Sequence, residues 1–127
     1  MHALNIKKTE YSPSVIYNPT TKQLIFEGES RPENCGKFYE PIIDWITKHI
    51  AIEPNNAALI FIFRFDYFNS TSARYIVKIL QTVKELAKHK NNTIRIEWNY
   101  EKLDEDMLEA GKEFSEVVDI AFLYNEV

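Results

Sequence analysis

Residues 57–88 constrain the fold more than any other part of the chain. There a nearly unbroken apolar run, Ala57-Ala58-Leu59-Ile60-Phe61-Ile62-Phe63-Arg64-Phe65, gives way first to Asn69-Ser70-Thr71-Ser72 and then to helical periodicity. A run apolar at almost every position fits a strand buried on both faces, hence the central strand of a sheet. The small polar residues supply oxygens where the first N–H groups of a helix lack acceptors. From there Ala73, Ile76, Val77, Leu80, Val83 and Ala87 share one helical face, with Arg74, Lys78, Gln81, Glu85 and Lys88 opposite. A strand thus delivers hydroxyls to a helix N-terminus at the C-terminal edge of a sheet, the edge at which α/β proteins commonly carry their sites.

The flanking segments complete the pattern. Residues 1–13 read as an extended arm in which Leu4 and Ile6 add a short edge strand, and residues 14–17 and 23–26 read as a hairpin about a Pro/Asn turn. Residues 27–34 are polar and broken by Gly28 and Pro32, predicting a loop. A helix is expected over about residues 36–49, with Pro41 in its first turn or at a bend. Beyond the second helix, residues 93–98 alternate as a strand with one wetter face, residues 101–112 form a short acidic helix that Gly111 stops, and residues 117–124 supply the last strand. This order predicts an α/β fold: a single mixed β-sheet, an N-terminal hairpin plus parallel strands, covered by helices on right-handed crossovers. The 127 residues are the size of one domain, spanning 1–127.

Composition removes several classes of function. Lys plus Arg number 15 against 19 Asp plus Glu, a net charge of -4, with no basic block, so nucleic acid is not an expected partner. Cys35 is the only cysteine, which excludes an internal disulfide; with no signal-like N-terminus and no membrane-length apolar run, the expectation is a cytoplasmic chain without a membrane partner. Asn69-Ser70-Thr71 and Asn91-Asn92-Thr93 match the glycosylation pattern, but a cytoplasmic chain never meets that machinery. His2, His49 and His89 are scattered without ligand spacing, and 3 glycines leave no phosphate loop, so no metal and no cofactor are expected. An enzyme reading rests on Cys35 alone at a helix start, and a lone cysteine there more simply fills a small buried space. The acids of residues 101–116 read as a solvated helix face.

The hydroxyl cluster admits two compatible readings. One is a helix cap. The other starts from the fact that a cap needs one side chain, whereas Ser70, Thr71 and Ser72 are three consecutive hydroxyls; a phosphate here would sit at unpaired N–H groups and the positive end of the helix dipole. Beside the core stripe, Tyr75, Ile79, Thr82 and Leu86 line up as a docking surface or simply widen the buried face, and Arg74 and Lys78 either meet acidic groups of a partner or solvate the helix.

The segments Gly28-Glu29-Ser30-Arg31-Pro32-Glu33-Asn34, Phe38, Ile43-Asp44-Trp45 and Tyr67-Phe68-Asn69-Ser70-Thr71-Ser72, in this order and separation, resemble the SiaC family of bacterial regulatory phosphoproteins along nearly the whole chain. The resemblance implies a STAS-like fold and a non-enzymatic switch. Such a switch is phosphorylated by a Ser/Thr kinase, dephosphorylated by a PP2C-like phosphatase, and when unmodified binds a partner such as a diguanylate cyclase. It places the modified hydroxyl directly after the Asn, at Ser70, with Thr71 as the alternative because Ser and Thr are exchanged here. Asn69, Ser72, Arg74, Tyr75, Lys78 and Ile79 are then the expected partner contacts, and residues 28–34 a second one. The competing expectation is a constitutive interaction or dimerisation scaffold in which the hydroxyls only cap.

Overall fold

A computed structural model describes residues 3–127; His2 lies outside them. The elements are β1 (Asn5–Ile6), β2 (Ser14–Asn18), β3 (Gln23–Ser30), α1 (Cys35–Ile52), β4 (Ala58–Phe68), α2 (Ser70–His89), β5 (Thr93–Tyr100), α3 (Glu105–Val118) and β6 (Phe122–Glu126). They build one six-stranded sheet in the order β1-β2-β3-β4-β5-β6, antiparallel as far as β3 and parallel from β3 to β6. The mixed sheet, hairpin and parallel series match the sequence expectation.

The three parallel crossovers all advance in one direction, so right-handed connections put all three helices on one face. Burial agrees, and it corrects the expectation of a strand buried on both sides. Leu59, Phe61, Phe63 and Phe65 of β4 are in the core, whereas Ile60 and Ile62 are half-buried and Arg64 is exposed. The core is one layer of rings and branched side chains between sheet and helices: Phe26 stacks on Phe63 with centroids 4.8 Å apart, and Trp98, wholly buried, lies 5.9 Å from Phe63 and 5.5 Å from Phe114.

Several element boundaries differ from the expectation. Residues 27–30 continue β3 instead of looping, because Gly28, at φ 120, allows the irregularity at which the register with β4 shifts between Gly28 and Glu29. Gly28 pairs with Phe65 and Glu29 with Tyr67, so Asp66 is the extra residue on β4. The odd-numbered side chains of β4 point inward up to Phe65, and past the bulge it is Phe68 that turns in, packing 5.4 Å from Phe114. Pro41 lies in the second turn of α1 on its exposed side, where the carbonyl of Lys37 left without a donor has access to water. Gly111 does not stop α3. It sits inside the helix against Trp98, where an added Cβ would lie 2.4 Å from the indole Cδ1. Residues 117 and 118 belong to that longer helix, and β6 begins only at Phe122.

Candidate functional site

The parallel pairing of β3 with β4 brings the first turns of α1 and α2 side by side at the C-terminal edge of the sheet. Each helix is capped by an asparagine. Asn34 accepts from Lys37 N at 3.0 Å, and Asn69, extended at φ -87 and ψ 174, accepts from Ser72 N at 2.8 Å. The backbone N–H of Asn69 donates to the Ser30 carbonyl at 3.0 Å, tying the start of α2 to the end of β3.

The three hydroxyls that look alike in sequence diverge here. Ser72 is wholly buried and donates to the Ser30 carbonyl at 2.9 Å; Ser30 Oγ donates to Ser72 Oγ at 2.8 Å, which leaves the Tyr39 hydroxyl to donate to Ser30. That chain needs a protonated phenol, and burial pushes the Tyr39 pKa up to about 12, against the opposing hydrogen bonds. Cys35 Sγ lies 3.5 Å from Ser72 Oγ in the same buried cluster, the structural position expected of it. Ser70 and Thr71, in contrast, are exposed, and neither hydroxyl has a hydrogen-bond partner among the described residues. Because Asn69 does the capping, these two hydroxyls are not needed for it.

Two expected partner contacts are corrected by burial. Ser72 is 0% exposed and Ile79 is 1% exposed, so both belong to the interior: Ser72 fastens α2 to β3, and Ile79 widens the core stripe. Asn69 and Tyr75 are half-buried, and Arg74 and Lys78 are exposed. Tyr75 stacks on Tyr39 with centroids 5.6 Å apart, and Lys78 Nζ lies 5.8 Å from the centroid of the Tyr75 ring while pairing with Glu40 at 2.8 Å. That pairing raises the Lys78 pKa, chiefly through the hydrogen bond to Glu40.

The sequence reading missed the contribution of α1. Gly36, Lys37 and Phe38 line a hollow together with Thr71 and Tyr75, and Thr71 also lines the adjoining one with Arg74, Tyr75 and Lys78. Gly36 leaves room for Tyr75: a Cβ there would stand 2.9 Å from the phenol oxygen. Nothing local in the sequence signals this contact across two helices. Of the segment expected as a second contact, Asn34 caps α1, Ser30 is buried, and Glu29 pairs with Arg31 at 2.8 Å.

The remaining histidines lie elsewhere. His49 is in the last turn of α1, stacked on Trp45 with centroids 4.8 Å apart and 3.3 Å from Glu53, and His89 pairs with Glu85 at 3.3 Å. Among the described residues no group of three or more His, Cys, Asp and Glu is placed to hold a metal ion, and no helix is long and apolar enough to cross a membrane.

Comparison with known proteins gives a consistent result. The family model described as SiaC family regulatory phosphoprotein matches residues 6–127. An uncharacterized protein of Pseudomonas aeruginosa (strain UCBPP-PA14) is 27% identical over 116 residues, 91% of this chain and 90% of that one. The crystal structure of apo-SiaC from Pseudomonas aeruginosa is similar with a TM-score of 0.86 at 24% identity, covering 98% of this chain and 99% of that one. SiaC in its crystal complex with the diguanylate cyclase SiaD, which it activates, is similar with a TM-score of 0.87 at 24% identity and the same coverage.

Proposed function

Since the chain belongs to the SiaC family of regulatory phosphoproteins, we propose that it is a non-catalytic switch whose phosphoacceptor is Ser70, with Thr71 the alternative. In its unmodified form it binds and regulates a diguanylate cyclase, and a Ser/Thr kinase and a PP2C-like phosphatase set its state. One observation carries this reading: Asn69 caps α2 by itself, so the two hydroxyls that follow are exposed and without a structural task. A phosphate on Ser70 adds about -1.5 to -2 charges at the positive end of α2, which the fold tolerates, in the middle of a surface whose docking it opposes. The likeness to SiaC bound to a diguanylate cyclase supports the choice of partner class.

The test pairs the purified chain with the proposed Ser/Thr kinase and diguanylate cyclase. The Ser70→Ala, Thr71→Ala chain should take up no phosphate while staying folded, and Ser70→Glu should weaken cyclase binding. Phosphate incorporation at another residue would overturn the site assignment.

A further inference from the structure

We propose that the groove between the first turns of α1 and α2 receives an acidic segment of the partner protein, carboxylates that meet Lys37 and Arg74 flanking an apolar anchor, and that the phosphoryl group acts by closing onto Arg74. The second half rests on the reading of Ser70 or Thr71 as the modified residue; the first does not.

Gly36, Lys37, Phe38, Thr71 and Tyr75 line the groove, which adjoins the hollow lined by Arg74 and Lys78 through the shared Thr71 and Tyr75. Tyr75 is held by its stack on Tyr39, so that side of the groove is preformed. Three cations stand around it: Lys37, Arg74 and Lys78. Two acids are near: Glu40 is spent on Lys78, and Glu33 lines the rim. Lys37 and Arg74 have no carboxylate partner among the described residues. An aromatic lining with two uncommitted cations complements an acidic segment and opposes a basic one.

The other flank of the switch has the opposite sign. The hollow at the end of β4 is lined by Asp66, Asp104 and Asp106, none of which is in an ion pair among the described residues, together with Tyr67, Phe68 and Met107. A phosphoryl group on Ser70 is repelled from that flank. Arg74 is four residues along α2 from Ser70 and three from Thr71, the spacings at which helical side chains meet. A guanidinium binds a phosphate in two-point fashion, so the modified chain satisfies Arg74 internally and withdraws it from the partner.

Titration of the isotope-labelled full chain with two designed amphipathic helical peptides, one of Leu and Glu and one of Leu and Lys, tests this by amide chemical shifts. The Leu/Glu peptide should move Lys37, Phe38, Thr71, Arg74 and Tyr75, and the Leu/Lys peptide should not. Lys37→Glu with Arg74→Glu should weaken the Leu/Glu peptide by about tenfold or more, and Arg74→Lys should restore much of that loss. Binding of both peptides alike, shifts confined to the open sheet face, or indifference to the charge reversal would overturn the groove assignment. Shifts at these residues on raising protein concentration alone would replace the acidic partner with a second copy. Kinase-phosphorylated chain should lose the Leu/Glu peptide by a similar factor; retention there, with the charge-reversal result intact, overturns the phosphate capture and leaves the groove standing.

Discussion

Ser70, Thr71 and Ser72 are adjacent in the chain yet differ in what surrounds them, and stability measurements separate them. Ser72→Ala removes the acceptor of Ser30 Oγ and the second donor to the Ser30 carbonyl inside a wholly buried network, at a cost of about 1–3 kcal/mol in denaturant unfolding. Ser70→Ala touches no hydrogen bond and should stay within about 0.5 kcal/mol of the parent. The sequence showed that hydroxyls meet a helix start here but could not rank them, because the ranking comes from β3 delivering Ser30 beneath Ser72. Gly111 is a second residue whose role is tertiary. Its missing Cβ admits the Trp98 ring, whose indole N–H donates to the Met107 carbonyl at 2.9 Å. Gly111→Ala should destabilise by about 1–3 kcal/mol despite the better helix propensity of alanine, and a stabilised variant would refute this packing.

At the scale of elements, the helices and strands were legible where one periodicity ran uninterrupted, and boundaries slipped where a tertiary contact overrode a local signal. Gly111 looks like a helix stop yet lies inside α3, and Pro41, expected in the first turn or at a bend, lies in the second turn of α1. The β4 bulge was written in the sequence as a change of parity, from inward Phe61, Phe63 and Phe65 to inward Phe68, but only the pairing with Gly28 makes it readable. The N-terminus of α2 depends on Asn69, so Asn69→Ala should cost about 1 kcal/mol by thermal or denaturant unfolding. The other end of α1 carries a pH dependence. Burial lowers the His49 pKa below its usual 6.5, more than Glu53 raises it, with Lys22 adding to the lowering. The unfolded chain then takes up this proton more readily than the folded one, so stability is lost as pH falls from 6.5 downward. Unfolding curves across that range should show the decline, and His49→Gln should flatten it.

For the molecule as a whole, a chain of single crossovers in one direction leaves one sheet face without a helix among the described residues and gathers the first turns of α1 and α2 at one edge. The element order predicted the sheet and the edge. It did not predict that α1 contributes Lys37 and Phe38 beside Thr71, since that contact joins residues far apart in sequence. The proposed switch depends on an exposed hydroxyl beside a helix already capped by its neighbour. Intact and fragment mass spectrometry of the chain recovered from its own cells tests that most directly. The account predicts a population bearing one phosphoryl group, located on Ser70 or Thr71 and removed by a PP2C-type phosphatase. A chain unmodified under every growth condition, or a phosphate fixed on some other residue, would contradict it.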